Sequence, residues 1–348
     1  MKINLNIALK SIAVIILTLL LTGVRSAAAP KNKLSIRGNL IFMNGKPFDM
    51  WGIRVASASE NDNSMDHLIA QLDDYKKHGV NSIAVYLMGS RGGAWDPFTE
   101  DGSEIDKDQL RRMKKIIKES DKRGMAVIVG IFYQRVSSEK IRLKDWESAR
   151  RAVVSVAAWT KKLKHKNIIL NIANEQNSSA YENVPWKKVR EPESIIELCV
   201  IAKQTNPDLI VGAGGYDMEK NKIIGTSDAV DILLFDTSTP EKSSEFLYQV
   251  YKSAGVEIPM VNVEMFGGWT ARFKDGIFQT DPDIRHYYDE VDAVVKTDGL
   301  YTFFFASDWS QSGASGKANR YDLAGMGTKE DPGIRWYFEY LSRKLNLK

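Results

Sequence analysis

The sequence predicts a (β/α)8 TIM barrel of the α/β class with an N-terminal β-hairpin plug. Three observations lead there. Eight short apolar, β-branched runs are spaced along the chain, and amphipathic stretches with apolar residues at intervals of three and four lie between them. The turn after the first run, Trp51-Gly52-Ile53-Arg54-Val55-Ala56-Ser57, lacks the glycine-rich pattern of an open doubly wound sheet. Strands without clean polar alternation, each followed by a helix, indicate a parallel sheet buried on both faces, and eight such units close most economically into a barrel.

Residues 1–29 read as a secretory signal peptide. Lys2 and Lys10 precede an apolar run from Ile12 to Leu21, and the small residues Ser26 to Ala29 follow it. That run is shorter than the ~20 apolar residues of a membrane span, so no membrane association is expected after cleavage. Removing the leader's three basic residues takes the formal net charge from +4 to +1, which leaves no electrostatic footprint for nucleic acid. Cys199 is the only cysteine, so no internal disulfide forms. Export to the periplasm or the extracellular space, from a bacterium, is the expected localisation.

Residues 30–348 read as one domain, without low-complexity tract, long linker or solenoid repeat. Leu34 to Phe48 contains Gly38-Asn39 and Asn44-Gly45, the signature of one or two tight hairpins, expected to plug the barrel's bottom. The eight strands follow at Met50 to Val55, Ser82 to Leu87, Met125 to Ile131, Ile168 to Ala173, Leu209 to Gly212, Val230 to Phe235, Met260 to Val263 and Leu300 to Phe305. Helical patterns fall at Asp106 to Arg123, Trp146 to Lys162, Glu193 to Thr205, Ser243 to Ala254 and Asp283 to Val295.

Side chains at the C-terminal ends of barrel strands converge on one mouth, so residues that end an apolar run are the first candidates for chemistry. The fourth run ends in Asn174-Glu175 and the seventh in Glu264. Strands four and seven face each other across a mouth. Retaining hydrolysis of a glycoside needs one carboxyl group to protonate the leaving oxygen and another to attack the anomeric carbon, ~5 to 5.5 Å apart. Two glutamates on opposing strand ends suit that task. Taken singly, each is more often a surface or ion-pair residue.

Asn174-Glu175 after the fourth strand, Glu264 with Phe266-Gly267 after the seventh and Trp309 after the eighth together resemble clan A of the glycoside hydrolases, with its cellulase-like, mannanase-like and β-galactosidase-like barrels. The resemblance implies Glu175 as acid/base, Glu264 as nucleophile and a carbohydrate substrate. Cellulase-like members usually carry arginine at the second strand's end and histidine at the third's, where this chain has Tyr86-Leu87 and Phe132-Tyr133. After strand six a tyrosine or histidine is common, whereas this chain reads Phe235-Asp236-Thr237-Ser238. These departures leave the sugar and linkage open.

Around the two glutamates stand further candidates, each with a plainer alternative. Asn174 would bond the sugar 2-hydroxyl or cap a loop. Arg54 ends the first run, placed either to hold Glu264 ionised or to make a salt bridge at the rim. Asp236 would orient a sugar hydroxyl or an active-site partner, or cap the next helix. Tyr133 at the third strand's end is a candidate for substrate contact, and Trp309 is a candidate platform for the sugar at the cleaved position. Trp95, Trp186, Tyr216, Phe266 and Trp269 lie in loops, to line subsites or to pack those loops. Gly214-Gly215 and Gly267-Gly268 fit turns better than phosphate cradles. His67, His78, His165 and His286 are scattered, so neither metal nor organic cofactor is expected. Asn177-Ser178-Ser179 is a formal glycosylation acceptor beside the mouth. Two other classes compete: a carbohydrate-binding barrel that has lost catalysis, against which both retained glutamates argue, and an aldolase or metal hydrolase, for which no strand-end lysine or histidine cluster is evident.

Overall fold

Leu34–Arg37 (β1), Leu40–Met43 (β2) and Lys46–Pro47 (β3) form an antiparallel three-stranded sheet in the computed structural model, which describes residues 32–89, 95–134, 140–267, 271–274, 277–280, 283–311 and 320–347. The expected leader, residues 1–29, lies outside the described residues. Gly38, Asn44 and Gly45 take positive φ at the two hairpin turns, as the sequence implied. The backbone N–H of Leu34 donates to the carbonyl of Lys166, and that of Ile41 to the Tyr301 hydroxyl, both at 3.1 Å. Leu34, Ile41 and Met43 pack into the same apolar cluster as Ile128, Ile169 and Val261 of the barrel interior. The hairpins are thus the expected plug.

The barrel consists of Trp51–Arg54 (β4), Ser82–Tyr86 (β5), Ala126–Phe132 (β6), Ile168–Ala173 (β7), Ile210–Ala213 (β8), Ile232–Asp236 (β9) and Met260–Glu264 (β10). A hairpin of Ala271–Lys274 (β11) and Ile277–Thr280 (β12) intervenes before the last barrel strand, Leu300–Phe304 (β13). All eight neighbour pairs in the barrel are parallel, and β13 pairs with β4 to close it. Every predicted run falls on its strand within two residues. The hairpin β11–β12 is an addition the sequence reading did not contain.

Alternation along the strands divides the core in two. On β6, Ala126 and Ile128 belong to the interior cluster, while Val127, Val129 and Ile131 pack outward against the helices. The same parity sends Arg54, Tyr86 and Asp236 inward near the upper ends of β4, β5 and β9. Gly130 shares that inward parity because it must leave space: a Cβ there would meet the Tyr86 ring at 2.0 Å.

The outer helices start where the sequence supplies caps. Asn61 accepts from the backbone N–H of Ser64 at the head of Asp62–Lys77 (α1), and Asp106 from that of Gln109 at the head of Lys107–Lys122 (α2). Asp145 and Ser148 form a reciprocal capping box on Trp146–Lys162 (α3). Pro192–Thr205 (α4), Met218–Gly225 (α5), Ser244–Ser253 (α6) and Ile284–Val295 (α7) continue the ring. The short Ser307–Ser310 (α8) and then Arg335–Lys344 (α9) follow β13.

At the α6–α7 contact the buried Glu290 accepts from the backbone N–H of Ser244 at 2.8 Å, so a carboxyl group caps the first turn of α6. Burial raises its pKa to about 7. The folded chain therefore binds a proton there that the unfolded chain releases above its ordinary value. This stabilisation is full below pH ~4.5 and is lost as pH rises through about 7. Glu290→Gln should abolish about 3 kcal/mol of the wild-type difference in unfolding free energy between pH 5 and pH 8. Urea unfolding of both proteins at the two pH values checks this; equal differences in the two proteins refute it.

Candidate active site

The strand ends of β4, β5, β6, β7, β9 and β10 deliver one connected polar group to the barrel mouth. Arg54 is fully buried, and its Nη1 forms an ion pair with Oε2 of Glu264, itself 2% exposed. Arg54 Nη2 donates to the Tyr133 hydroxyl at 2.9 Å. The guanidinium lies 4.8 Å from the ring centre of Phe305, 5.4 Å from that of Tyr86 and 5.7 Å from that of Tyr133. Burial opposes its charge, but Glu264 above all, with Tyr133 and Tyr86, outweighs burial and holds the Arg54 pKa well above its ordinary value. The expected pairing of Arg54 with Glu264 is present, deep in the barrel and not at its rim.

Glu264 reaches the interior through a register irregularity. Val261 and Val263 face inward, which by simple alternation would send Glu264 out toward the helices. The pairing of β10 with β9 shifts between Asn262 and Glu264. Asn262 Oδ1 accepts the Glu264 backbone N–H at 3.1 Å, and its Nδ2 donates to Thr237 Oγ1 at 3.0 Å and to Ser244 Oγ at 2.8 Å. The bulge re-aims one side chain. Thr237 Oγ1 also accepts the N–H of Phe266, which sits in the left-handed region at φ 53°.

Glu175 belongs to a second branch of the group. Gln134 Nε2 donates to its Oε2 at 2.5 Å, and Gln134 Oε1 accepts from Asn174 Nδ2 at 2.9 Å. Asn174 Oδ1 accepts from the Tyr86 hydroxyl, which in turn accepts from Asn171 Nδ2, both at 3.0 Å. Burial pushes the Tyr86 phenol far up, so it stays a donor. The edge of Tyr86 meets Tyr133 with ring centres 5.1 Å apart, which joins this branch to Arg54. Glu175 has φ 42°, a left-handed conformation rare outside glycine.

Asp236 is the last residue of β9 and the register partner of Glu264. It caps no helix, since Thr239 and Ser243 begin the helical turns that follow. Its carboxyl group is buried, and among the described residues neither oxygen has a hydrogen-bond partner.

Other candidates are placed differently from expectation. Trp309 is 2% exposed: its Nε1 donates to the Asp322 carbonyl and the Arg320 guanidinium lies 4.1 Å from its ring centre, so the ring is packed against these groups. Trp186 and Phe266 are also packed, Trp186 against Phe132 and Tyr181, Phe266 against Tyr287. Trp95 donates to the Leu87 carbonyl at 2.6 Å. Tyr216 is 48% exposed on the loop after β8, as a subsite residue would be. Trp269 lies outside the described residues. Asn177 is buried and its Oδ1 accepts the N–H of Tyr216, so the formal glycosylation triplet serves as a loop brace. Among the described residues no group of three or more His, Cys, Asp or Glu side chains is arranged to hold a metal ion, and no helix is long and apolar enough to cross a membrane.

The sequence reading passed over Gln134, Asn262 and Gln311. Gln134 stands two residues beyond the end of β6, and that position is the signal that points to it. Gln311 follows α8 and donates to the Tyr133 hydroxyl at 2.8 Å.

The sequence model of the cellulase family, glycosyl hydrolase family 5, matches residues 42–250, more than half of the chain. No curated protein matches. Among solved structures, an endo-1,4-β-mannanase from Rhizomucor miehei is 14% identical, with a TM-score of 0.58 over 78% of this chain and 90% of that one. An endocellulase from Pyrococcus horikoshii, solved with cellotetraose, is 14% identical, with a TM-score of 0.60 over 90% and 98%. A glycoside hydrolase family 5 protein from Bacteroides vulgatus is 15% identical, with a TM-score of 0.61 over 87% and 69%. Likeness at this identity establishes the shared barrel fold.

Removing Arg54 strands a buried carboxylate. Arg54→Met should cost about 3–5 kcal/mol of stability, and Arg54→Met combined with Glu264→Leu should cost clearly less than the two single changes added together. Chemical denaturation of the four proteins measures the coupling; strict additivity would show that the pair is not energetically linked.

Proposed function

Because this chain belongs to glycosyl hydrolase family 5 and is thus a glycoside hydrolase acting on carbohydrate, we propose that it cleaves β-linked oligo- or polysaccharides with retention, Glu264 attacking and Glu175 exchanging the proton. The observation that carries this reading is the pairing of Glu264 with a fully buried arginine inside the mouth that Glu175 also reaches.

In the first step Glu264 bonds to the anomeric carbon while Glu175 gives its proton to the departing glycosidic oxygen. In the second, Glu175 takes a proton from water, and the water oxygen displaces Glu264 from the sugar. Arg54 holds the attacking carboxylate and Tyr133 holds Arg54, so little reorganisation is needed as the charge passes into the new bond. Gln134 orients Glu175. Asn174, with its carbonyl and amide already anchored on Tyr86 and Gln134, keeps one amide hydrogen for the sugar 2-hydroxyl. Tyr216 supplies a rim contact, and Asp236 faces the same mouth.

The neighbouring mannanase and endocellulase structures support a search that begins with β-1,4-linked hexosans. Residues 30–348 act as one catalytic domain in this reading, and residues 1–29 serve as a cleaved export signal that delivers the enzyme to the periplasm or beyond. No cofactor enters the mechanism.

The test is a screen of the mature protein against β-linked oligosaccharides and plant, algal and host polysaccharides, with products read by mass spectrometry. The wild type should release sugars of retained configuration. Glu264→Ala should abolish turnover, and Glu175→Gln should lower it by about 10²–10⁴-fold. Inverted products, or full activity in Glu264→Ala, would overturn the assignment.

A further inference from the structure

Among the described residues, Glu175, Glu264 and Asp236 bring carboxyl groups together at the mouth, and the Arg54 guanidinium acts on Glu264 and Asp236. Arg54 is already committed to Glu264 and Tyr133. Asp236 lies beside Glu264 in the sheet, is 5% exposed, and neither of its oxygens has a hydrogen-bond partner among the described residues. An aspartate anion in that position would be desolvated, unpaired and next to a second anion. A buried acceptor left empty is costly, and a buried charge more so. A proton on Asp236 removes the charge and changes the group from an acceptor into a donor.

We propose that Asp236 is a protonated carboxylic acid at neutral pH and donates a hydrogen bond to the Glu264 carboxylate. The proposal deepens the retaining mechanism above and rests on Glu264 being its nucleophile. Burial first, then the charges of Glu264 and Glu175, raise the Asp236 pKa well above its ordinary value, while Arg54 opposes them. The Tyr86 and Tyr251 phenols also lie within its field, and burial keeps both un-ionised.

The donated hydrogen bond acts differently on the two chemical steps. When Glu264 attacks, it loses negative charge and the bond from Asp236 weakens. When water releases the sugar, the carboxylate charge returns and the bond strengthens. Asp236 therefore makes Glu264 a better leaving group and favours release from the covalent intermediate. No proton changes owner, so the count over the cycle is unaltered. The Asp236 proton stays in place while Glu175 performs the transfers.

The decisive measurement is infrared difference spectroscopy on protein carrying ¹³C at the aspartate side-chain carboxyl carbon, comparing wild type with Asp236→Asn. A carboxylic-acid carbonyl band should be present at neutral pH in the wild type and missing in Asp236→Asn. In Glu264→Gln, which removes the neighbouring charge, that band should disappear on titration at a pH lower by about one unit or more. A wild type without an acid band overturns the protonation. A titration unmoved in Glu264→Gln overturns the link to the nucleophile. Neither readout needs turnover, so they stand apart from the fate of the retaining mechanism. On a substrate that the screen yields, Asp236→Ala should slow deglycosylation roughly tenfold and raise the burst of covalent intermediate, while Asp236→Asn, which keeps an N–H donor, should restore most of the rate. Equal losses in both variants would overturn the hydrogen-bond role.

Discussion

A charge placed inside a protein must be answered there, and Arg54 is the charge around which this barrel mouth is arranged. Its guanidinium leaves water completely and is met by Glu264 from the seventh barrel strand, the Tyr133 hydroxyl from the third, and the aromatic faces of Tyr86, Tyr133 and Phe305. Those groups share the inner face of the sheet but come from strands at the beginning and the end of the chain. Only closure of the barrel, through the pairing of β13 with β4, brings them within reach of one another. The fold and the ion pair are therefore one problem: an open sheet would leave Arg54 with a desolvated charge and no partner.

Two local departures from regular structure then bring both glutamates to the barrel mouth. The slip in register at Asn262 brings Glu264 inward, and the hydrogen bonds of Asn262 to Thr237 and Ser244 keep the slip in place. The left-handed turn at Glu175 presents a side chain to the same space from the far side. Glycine at position 130 is the quieter third element. It gives Tyr86 the room from which it anchors Asn174.

Much of this was legible in the amino-acid order, for a physical reason. Strands buried on both faces must be apolar along their whole length, so runs such as Ile168 to Ala173 and Met125 to Ile131 mark themselves. The strand-end rule then located Arg54, Glu175, Asp236 and Glu264 at one mouth. It names the end of the barrel but not the direction of a ring, so the order alone does not show that Trp309 packs against Arg320 and the Asp322 carbonyl. For Trp186 the loop-packing alternative matches what is seen, because a loop long enough to fold back makes a small core of its own with Phe132 and Tyr181. The slip at Asn262 was invisible because it depends on partners, Thr237 and Ser244, that are distant in sequence. Gln134 was passed over because its role exists only through Asn174 and Glu175. Tyr86 and Tyr133, first noticed as departures from the cellulase-like pattern, turn out to flank Arg54.

The φ of 42° at Glu175 carries a consequence for anyone seeking to harden this protein against heat. A glutamate held in that region costs of order 1–3 kcal/mol, which glycine at the same position would largely recover. Thermal robustness and chemistry thus pull residue 175 in opposite directions. A library sorted for survival on heating alone would enrich chains that have surrendered this side chain, and would return well-folded barrels without the carboxyl group to which the retaining reading assigns proton transfer. Sorting for stability here has to be coupled to a readout of turnover, or it will discard the function it was meant to preserve.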